Sequence, residues 1–124
     1  MPDHAGAHDR MADDRVVAAL ELAGEAVAVA PADVESGSPV TTTTPLVVTD
    51  GPSEVGIWTL EGGSYRDVEV DEVFVVLSGR ALLTIDGQPP RDISTGDFVR
   101  LHAGERTVWA VETSLRKLYV APAG

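Results

Sequence analysis

Between Val55 and Val120, glycine-bearing turns cut the chain into apolar runs of about five to eight residues, a length that suits strands and is short for helices. The runs are Val55–Leu60, Val70–Leu77, Ala81–Ile85, Phe98–His102, Thr107–Val111 and Leu115–Val120. Between them stand Glu61-Gly62-Gly63-Ser64, Ser78-Gly79, Asp86-Gly87, Ser94-Thr95-Gly96-Asp97 (after Ile93) and Ala103-Gly104. Asp-Gly is a strong hairpin signal, because both central residues of a type I′ turn need positive φ. No helical pattern separates the runs. The spacing therefore predicts an all-β chain, an antiparallel sandwich or barrel.

The first half is less regular. Residues 1–12 are polar and hold few large apolar groups, which predicts a disordered tail. His4 and His8 have i, i+4 spacing, but with no helix around them they read as part of that tail. Residues 13–35 read as an N-terminal extension and 36–124 as the domain. Val16, Ala19, Leu20 and Ala23 recur at helical spacing, with Asp13 or Asp14 to cap the start and Gly24 to end it, which suits one short helix. The stretch 16–20 reads equally as a strand, and both readings stand. Prolines and the run Thr41–Thr44 predict extended segments wrapping the body over 25–53, with Leu46-Val47-Val48 a strand.

Composition narrows function mostly by exclusion. A chain of 124 residues fits one domain, and 44% hydrophobic with 23% charged residues is ordinary for a globular protein. It has no cysteine, so disulfides, thiolate metal sites and a cysteine nucleophile are excluded. The formal charge of −11, from 20 acids against 9 bases, repels phosphate backbones and anionic membranes. No basic segment followed by an apolar stretch opens the chain, and no apolar run reaches spanning length. The expectation is a cytoplasmic protein that binds neither nucleic acid nor membrane.

The ordered motifs carry a resemblance. Gly56-Ile57-Trp58, Gly63-Ser64-Tyr65-Arg66 and Asp71-Glu72 through Gly79 look like the first half of a cupin. Gly96-Asp97-Phe98-Val99-Arg100-Leu101, Ala103-Gly104, Trp109 and Arg116-Lys117-Leu118-Tyr119-Val120 continue it, so that it spans residues 36–121. More narrowly the chain is similar to the small cupins named after (S)-ureidoglycine aminohydrolase. The resemblance implies an RmlC-like jelly-roll barrel with a pocket at one mouth. It also implies a homodimer, as small cupins commonly form, with the open edge strands in need of cover.

Cupins usually hold a divalent metal with His-X-His and Glu from the first motif and a His from the second. Here Glu72 takes the place of the family's glutamate. The paired histidine positions fall on Arg66 and Val68, or on Tyr65 and Asp67 if the spacing is one longer. The last ligand position falls on Thr107. His102 replaces a proline at a strand end and is expected at the rim. One carboxylate without imidazole suits transition metals poorly. Mn or Mg could use Glu72 with Asp67 and Asp71, but Asp71 should face away. The expectation is therefore no cofactor, with a divalent ion at Glu72 disfavoured.

What fills the pocket instead follows from period-two alternation. With Glu72 inward, Phe74 and Val76 share its face. Thr107, Trp109 and Val111 form a second inward row, and Leu115, Lys117 and Tyr119 a third. Glu72 and Lys117 are the candidate catalytic pair, with Trp58, Tyr65, Arg66, Phe74, Thr107, Trp109 and Tyr119 as candidate substrate contacts. An apolar, indole-lined site would move carboxyl and amine pKa values toward neutrality, as proton transfer requires. Alternatively, Glu72 and Lys117 form a buried structural ion pair, which adds little net stability. Neither a Ser-His-Asp set nor a phosphate loop can be assembled, and Arg100 should point outward, toward an interface. The expected function is binding of a small metabolite with metal-independent acid/base chemistry of isomerase, cyclase, lyase or hydrolase type. A non-catalytic sensor and an atypical metal-dependent relative of ureidoglycine aminohydrolase are the alternatives.

Overall fold

A computed structural model describes residues 15–48 and 53–122. The expected disordered tail, His4, His8 and the caps Asp13 and Asp14 lie outside the described residues. In chain order the strands are β1 (Val27–Ala28), β2 (Val34–Val48), β3 (Ser53–Val68), β4 (Glu72–Ile85), β5 (Arg91–Ser94), β6 (Phe98–Leu101), β7 (Arg106–Ala110) and β8 (Ser114–Pro122). All pairings are antiparallel. The all-β barrel expected from the turn spacing, and the jelly roll implied by the resemblance, are the observed fold.

Three strands are longer than the apolar runs suggested. The first half of β3 pairs with β8, from Ser53↔Pro122 to Glu61↔Ser114, and its second half with β7, from Ser64↔Ala110 to Val68↔Arg106. β4 does the same, pairing with β8 through Gly79 and with β7 from Leu82. Two sheets thus share β3 and β4 and close on each other. Glu61–Ser64 and Ser78-Gly79 are therefore bends within strands, where the sequence had suggested turns between them. The chain changes partner at the bend, so the ladder continues and no loop is needed. Gly79 sits at φ 83°, and a Cβ there would lie 2.1 Å from the Ser114 carbonyl oxygen. No other residue fits that corner without moving β8. Asp86 (φ 50°) and Gly87 (φ 70°) make the type I′ turn read from the sequence, closed by the Gln88 amide donating to the Ile85 carbonyl at 3.0 Å.

No helix forms over residues 16–23. A single turn appears instead, with the Glu21 and Leu22 amides donating to the Ala18 carbonyl. The carbonyls of Ala19 and Leu22 accept from Arg116, and Leu20 is 63% exposed. An apolar stripe that finds no core to cover has nothing to offset the cost of helix nucleation. The only helical element among the described residues is one 3-10 turn, Pro31–Asp33. No helix among the described residues is long and apolar enough to cross a membrane.

The core lies between the sheets and follows the alternation. Leu60, Phe74, Val76, Leu83, Leu101, Trp109 and Leu115 are all buried. On β6 Leu101 is buried, Phe98 and Arg100 are exposed, and Arg100 points outward as its parity predicted. Below one mouth of the barrel the inward rows change from aliphatic to aromatic and charged side chains.

Candidate functional site

Strand register brings the polar inward residues together. Lys117 on β8 lies between Trp58 on β3 and Val76 on β4. Its chain runs toward the mouth, past Phe74, to Glu72, two inward positions further along β4. There Nζ donates to the Glu72 carboxylate at 2.6 Å, with the side chains 5% and 11% exposed. The ammonium also lies 4.5 Å, 4.3 Å and 4.6 Å from the ring centroids of Trp58, Phe74 and Trp109. The two indoles pack 5.3 Å apart. Lys117 is thus a cation in a box of three aromatic faces with a carboxylate as the fourth wall, an arrangement that offsets much of its desolvation.

The outer wall is acidic. Glu69, in the turn between β3 and β4, is 8% exposed, and one of its carboxylate oxygens accepts from Thr107 Oγ1 at 2.6 Å and from Trp109 Nε1 at 3.2 Å. Glu54 accepts from the Tyr119 hydroxyl at 2.5 Å. The Tyr119 ring lies flush on Gly56, where a Cβ would come 2.5 Å from the phenol oxygen, so a glycine is what lets that ring reach Glu54. A cavity of about 280 Å³ opens among these groups, its polar wall formed by Glu54, Tyr65, Asp67, Glu69, Glu72 and Lys117. Trp58, Trp109 and Tyr119 also line it.

The field in this cavity is visible in its titrating groups. Asp67 is exposed overall, but its carboxyl sits against the cavity wall. Desolvation, followed by the charge of Glu69, raises its pKa, while the Val68 amide and Lys117 oppose the rise. Burial is the largest cause holding the Tyr65 phenol far above its ordinary range, with Asp67, Glu69 and Glu72 adding to it. Tyr119 is raised too, by burial and then by its bond to Glu54. Both phenols stay protonated and can act as hydrogen-bond donors.

Of the residues singled out in the sequence, Glu72, Lys117, Trp58, Tyr65, Trp109 and Tyr119 line one cavity, and Phe74 floors the aromatic box beneath it. Two do not. Arg66 points outward, pairing with Glu35 and donating to the Ala32 carbonyl. It must, because Tyr65 and Asp67 take the inward direction opposite Trp109 and Thr107. Of the two spacings open for the histidine positions, the longer one points at the cavity. Thr107 is 1% exposed and lies behind the wall, holding Glu69. His102 is exposed at the end of β6, and Asp71 turns away to accept from the Ala103 amide. Sequence reasoning missed Glu69 and Glu54. Glu69 alternates with the inward Tyr65 and Asp67, and that parity was the available signal.

The profile of the EutQ-like cupin domain matches residues 47–119. The chain belongs to the EutQ-like cupin family. The solved structures it resembles include the Clostridium difficile EutQ protein, at 22% identity and TM-score 0.61, over 77% of this chain and 80% of that one. The polyketide cyclase RemF from Streptomyces resistomycificus matches at 18% identity and TM-score 0.64, over 89% and 80%. A predicted oxalate decarboxylase from Thermotoga maritima matches at 17% identity and TM-score 0.63, over 88% and 99%. These likenesses show the fold. No curated protein matches the chain.

Cupins commonly hold a divalent metal at this mouth, and the residues of this cupin do not fit one. The positions where imidazoles would stand carry Tyr65, Asp67 and Thr107. Among the described residues no three His, Asp or Glu side chains come together as a ligand set. Glu72, the retained acid, already has the Lys117 ammonium at hydrogen-bond distance. A second cation beside it would meet direct charge repulsion.

Proposed function

We propose that this cupin binds a small metabolite in the mouth cavity and acts on it by acid/base chemistry carried by its own side chains. The supporting observation is the Glu72–Lys117 pair, set 2.6 Å apart in the wall of an aromatic-lined cavity. A pair of this kind is a poor source of stability, and perturbed charges in a cleft are enriched at functional sites. Glu72 is the proton acceptor, and Lys117 holds it in place and offsets the charge it carries. The acid formed at Glu72 returns the proton to a second atom of the substrate, so the step balances without a further donor. Trp58, Trp109, Tyr65 and Tyr119 grip the substrate. A proton moved from one atom of the substrate to another, as in isomerisation, elimination or cyclisation, requires no more. RemF, a cyclase on the same fold, lends that class support.

The test is incubation of the purified protein with a mixed metabolite extract, followed by mass spectrometry. Wild type should deplete at least one compound and form an isomer or an elimination or hydrolysis product, and Glu72→Gln should not. Equal turnover by Glu72→Gln would refute the assignment. A compound retained by wild type and released unchanged would instead favour a non-catalytic sensor. That reading is supported by the mutual saturation of Glu72 and Lys117. The narrower relation to (S)-ureidoglycine aminohydrolase, with metal-dependent chemistry, finds no support in the donor set. We also infer a homodimer, supported by the 69% exposed Phe98 beside Arg100 on the edge strand β6. A monomer in light scattering at working concentration would contradict it.

A further inference from the structure

The cavity holds four carboxylates, Glu54, Asp67, Glu69 and Glu72, and one ammonium, Lys117. Glu72 is neutralised by Lys117. Among the described residues none of the other three forms an ion pair. Glu69 is the most demanding of them. It is 8% exposed, both of its hydrogen bonds come to one oxygen from neutral donors, and the other oxygen accepts nothing from the described residues. That oxygen is not among the buried atoms left without a partner, so it opens on the cavity, where water meets it until a cation or a strong donor enters. The walls beside it are indole and phenol faces, which attract cations. The inner box shows that attraction at work, since Lys117 sits within 4.6 Å of all three ring centroids and fills it. An incoming ammonium must therefore stop one layer out, at Glu69 and Asp67.

Resting on the reading of this cavity as a ligand site, we propose that it selects small organic monocations, protonated amines or amidines carrying a short apolar or aromatic body. The positive end contacts Glu69, with Asp67 and Glu54 adding to the field, and the body lies against Trp58 and Tyr65. At about 30 Å³ per water in the liquid, the 280 Å³ cavity releases several waters to such a ligand. Carboxylates and phosphates meet three unneutralised charges of their own sign and are excluded.

The matched probes benzylammonium, benzyl alcohol and benzoate test this at neutral pH. Both tryptophans of the chain line the cavity, so intrinsic fluorescence reports occupancy directly. Benzylammonium should give a saturable change that weakens with added salt. Benzyl alcohol should bind at least about tenfold more weakly, which is roughly one charge-assisted contact, and benzoate should not bind. Glu69→Gln should weaken benzylammonium about tenfold. If that variant fails to fold, Asp67→Asn at the cavity rim should weaken it about threefold and leave benzyl alcohol unchanged. Benzoate or benzyl alcohol binding as tightly as benzylammonium would overturn the selectivity and leave the ligand-site reading standing. Unchanged benzylammonium affinity in both carboxylate variants would do the same. No response to any of the three probes would overturn both.

Discussion

Replacing Lys117 by methionine separates the two jobs of this side chain, packing and charge. Lys117 is 5% exposed and bonded to a carboxylate that is 11% exposed. Methionine keeps most of the volume and gains sulfur contacts with the three rings, so the cost is mainly that of Glu72 left without a cation. Breaking a buried pair from one side costs about 3–5 kcal/mol, and the cavity next to Glu72 lets water in, so about 3 kcal/mol is expected for Lys117→Met. Glu72→Gln should cost less, about 1–2 kcal/mol. The amide oxygen still accepts from the ammonium, and three ring faces, each worth about 0.5–2 kcal/mol, still hold the cation. With both changes neither charge of the pair remains buried, so the double variant should be more stable than Lys117→Met alone. Urea denaturation followed by far-ultraviolet circular dichroism measures all three, because fluorescence would respond to the local change at Trp58 and Trp109. A loss of about 3 kcal/mol lowers Tm by roughly 10 °C in a domain of this size. The account of the aromatic box fails if Glu72→Gln is the more damaging change, or if the two costs simply add.

Two pH effects follow from the cavity. Tyr65 and Tyr119 are the only tyrosines of the chain, and both phenols are held protonated in the folded state. The native state then binds more protons than the unfolded state above about pH 10, so stability falls as pH rises from there. Phenolate absorbance should appear together with loss of circular dichroism, and its smooth appearance near pH 10 with the fold intact would refute the burial argument. Asp67, with its folded pKa raised, contributes a loss of stability as pH rises from about 4 through its folded value. The Tm of Asp67→Asn relative to wild type should therefore increase from acid to neutral pH, and a constant or falling difference would contradict the assignment.

Much of the inner face was legible because strand alternation is a strict local rule. Once Glu72 is set inward, Phe74 and Val76 must follow, and the same parity on β7 and β8 supplies Trp109, Lys117 and Tyr119. Arg66 was misplaced by one residue of spacing, and in a strand one residue means the opposite face. Glu69 keeps the inward parity of Tyr65 and Asp67 but sits past the end of β3, outside the runs the sequence marks as strands. The helix suggested by Val16, Ala19, Leu20 and Ala23 had the right spacing but no core to bury its apolar face.

The sequence by itself determined the strand-and-turn alternation, the side of each strand that faces inward and the residue types that stand at the family's ligand positions. Those are properties of neighbours along the chain. Only the tertiary structure decided that Lys117 would lie under two indoles and a phenyl ring with Glu72 as its partner, and that four carboxylates would face one cavity. Register between strands far apart in sequence sets those contacts, as in Trp58↔Lys117 and Asp67↔Thr107, and it is fixed by the bends at Gly63 and Gly79 where β3 and β4 pass from one sheet to the other.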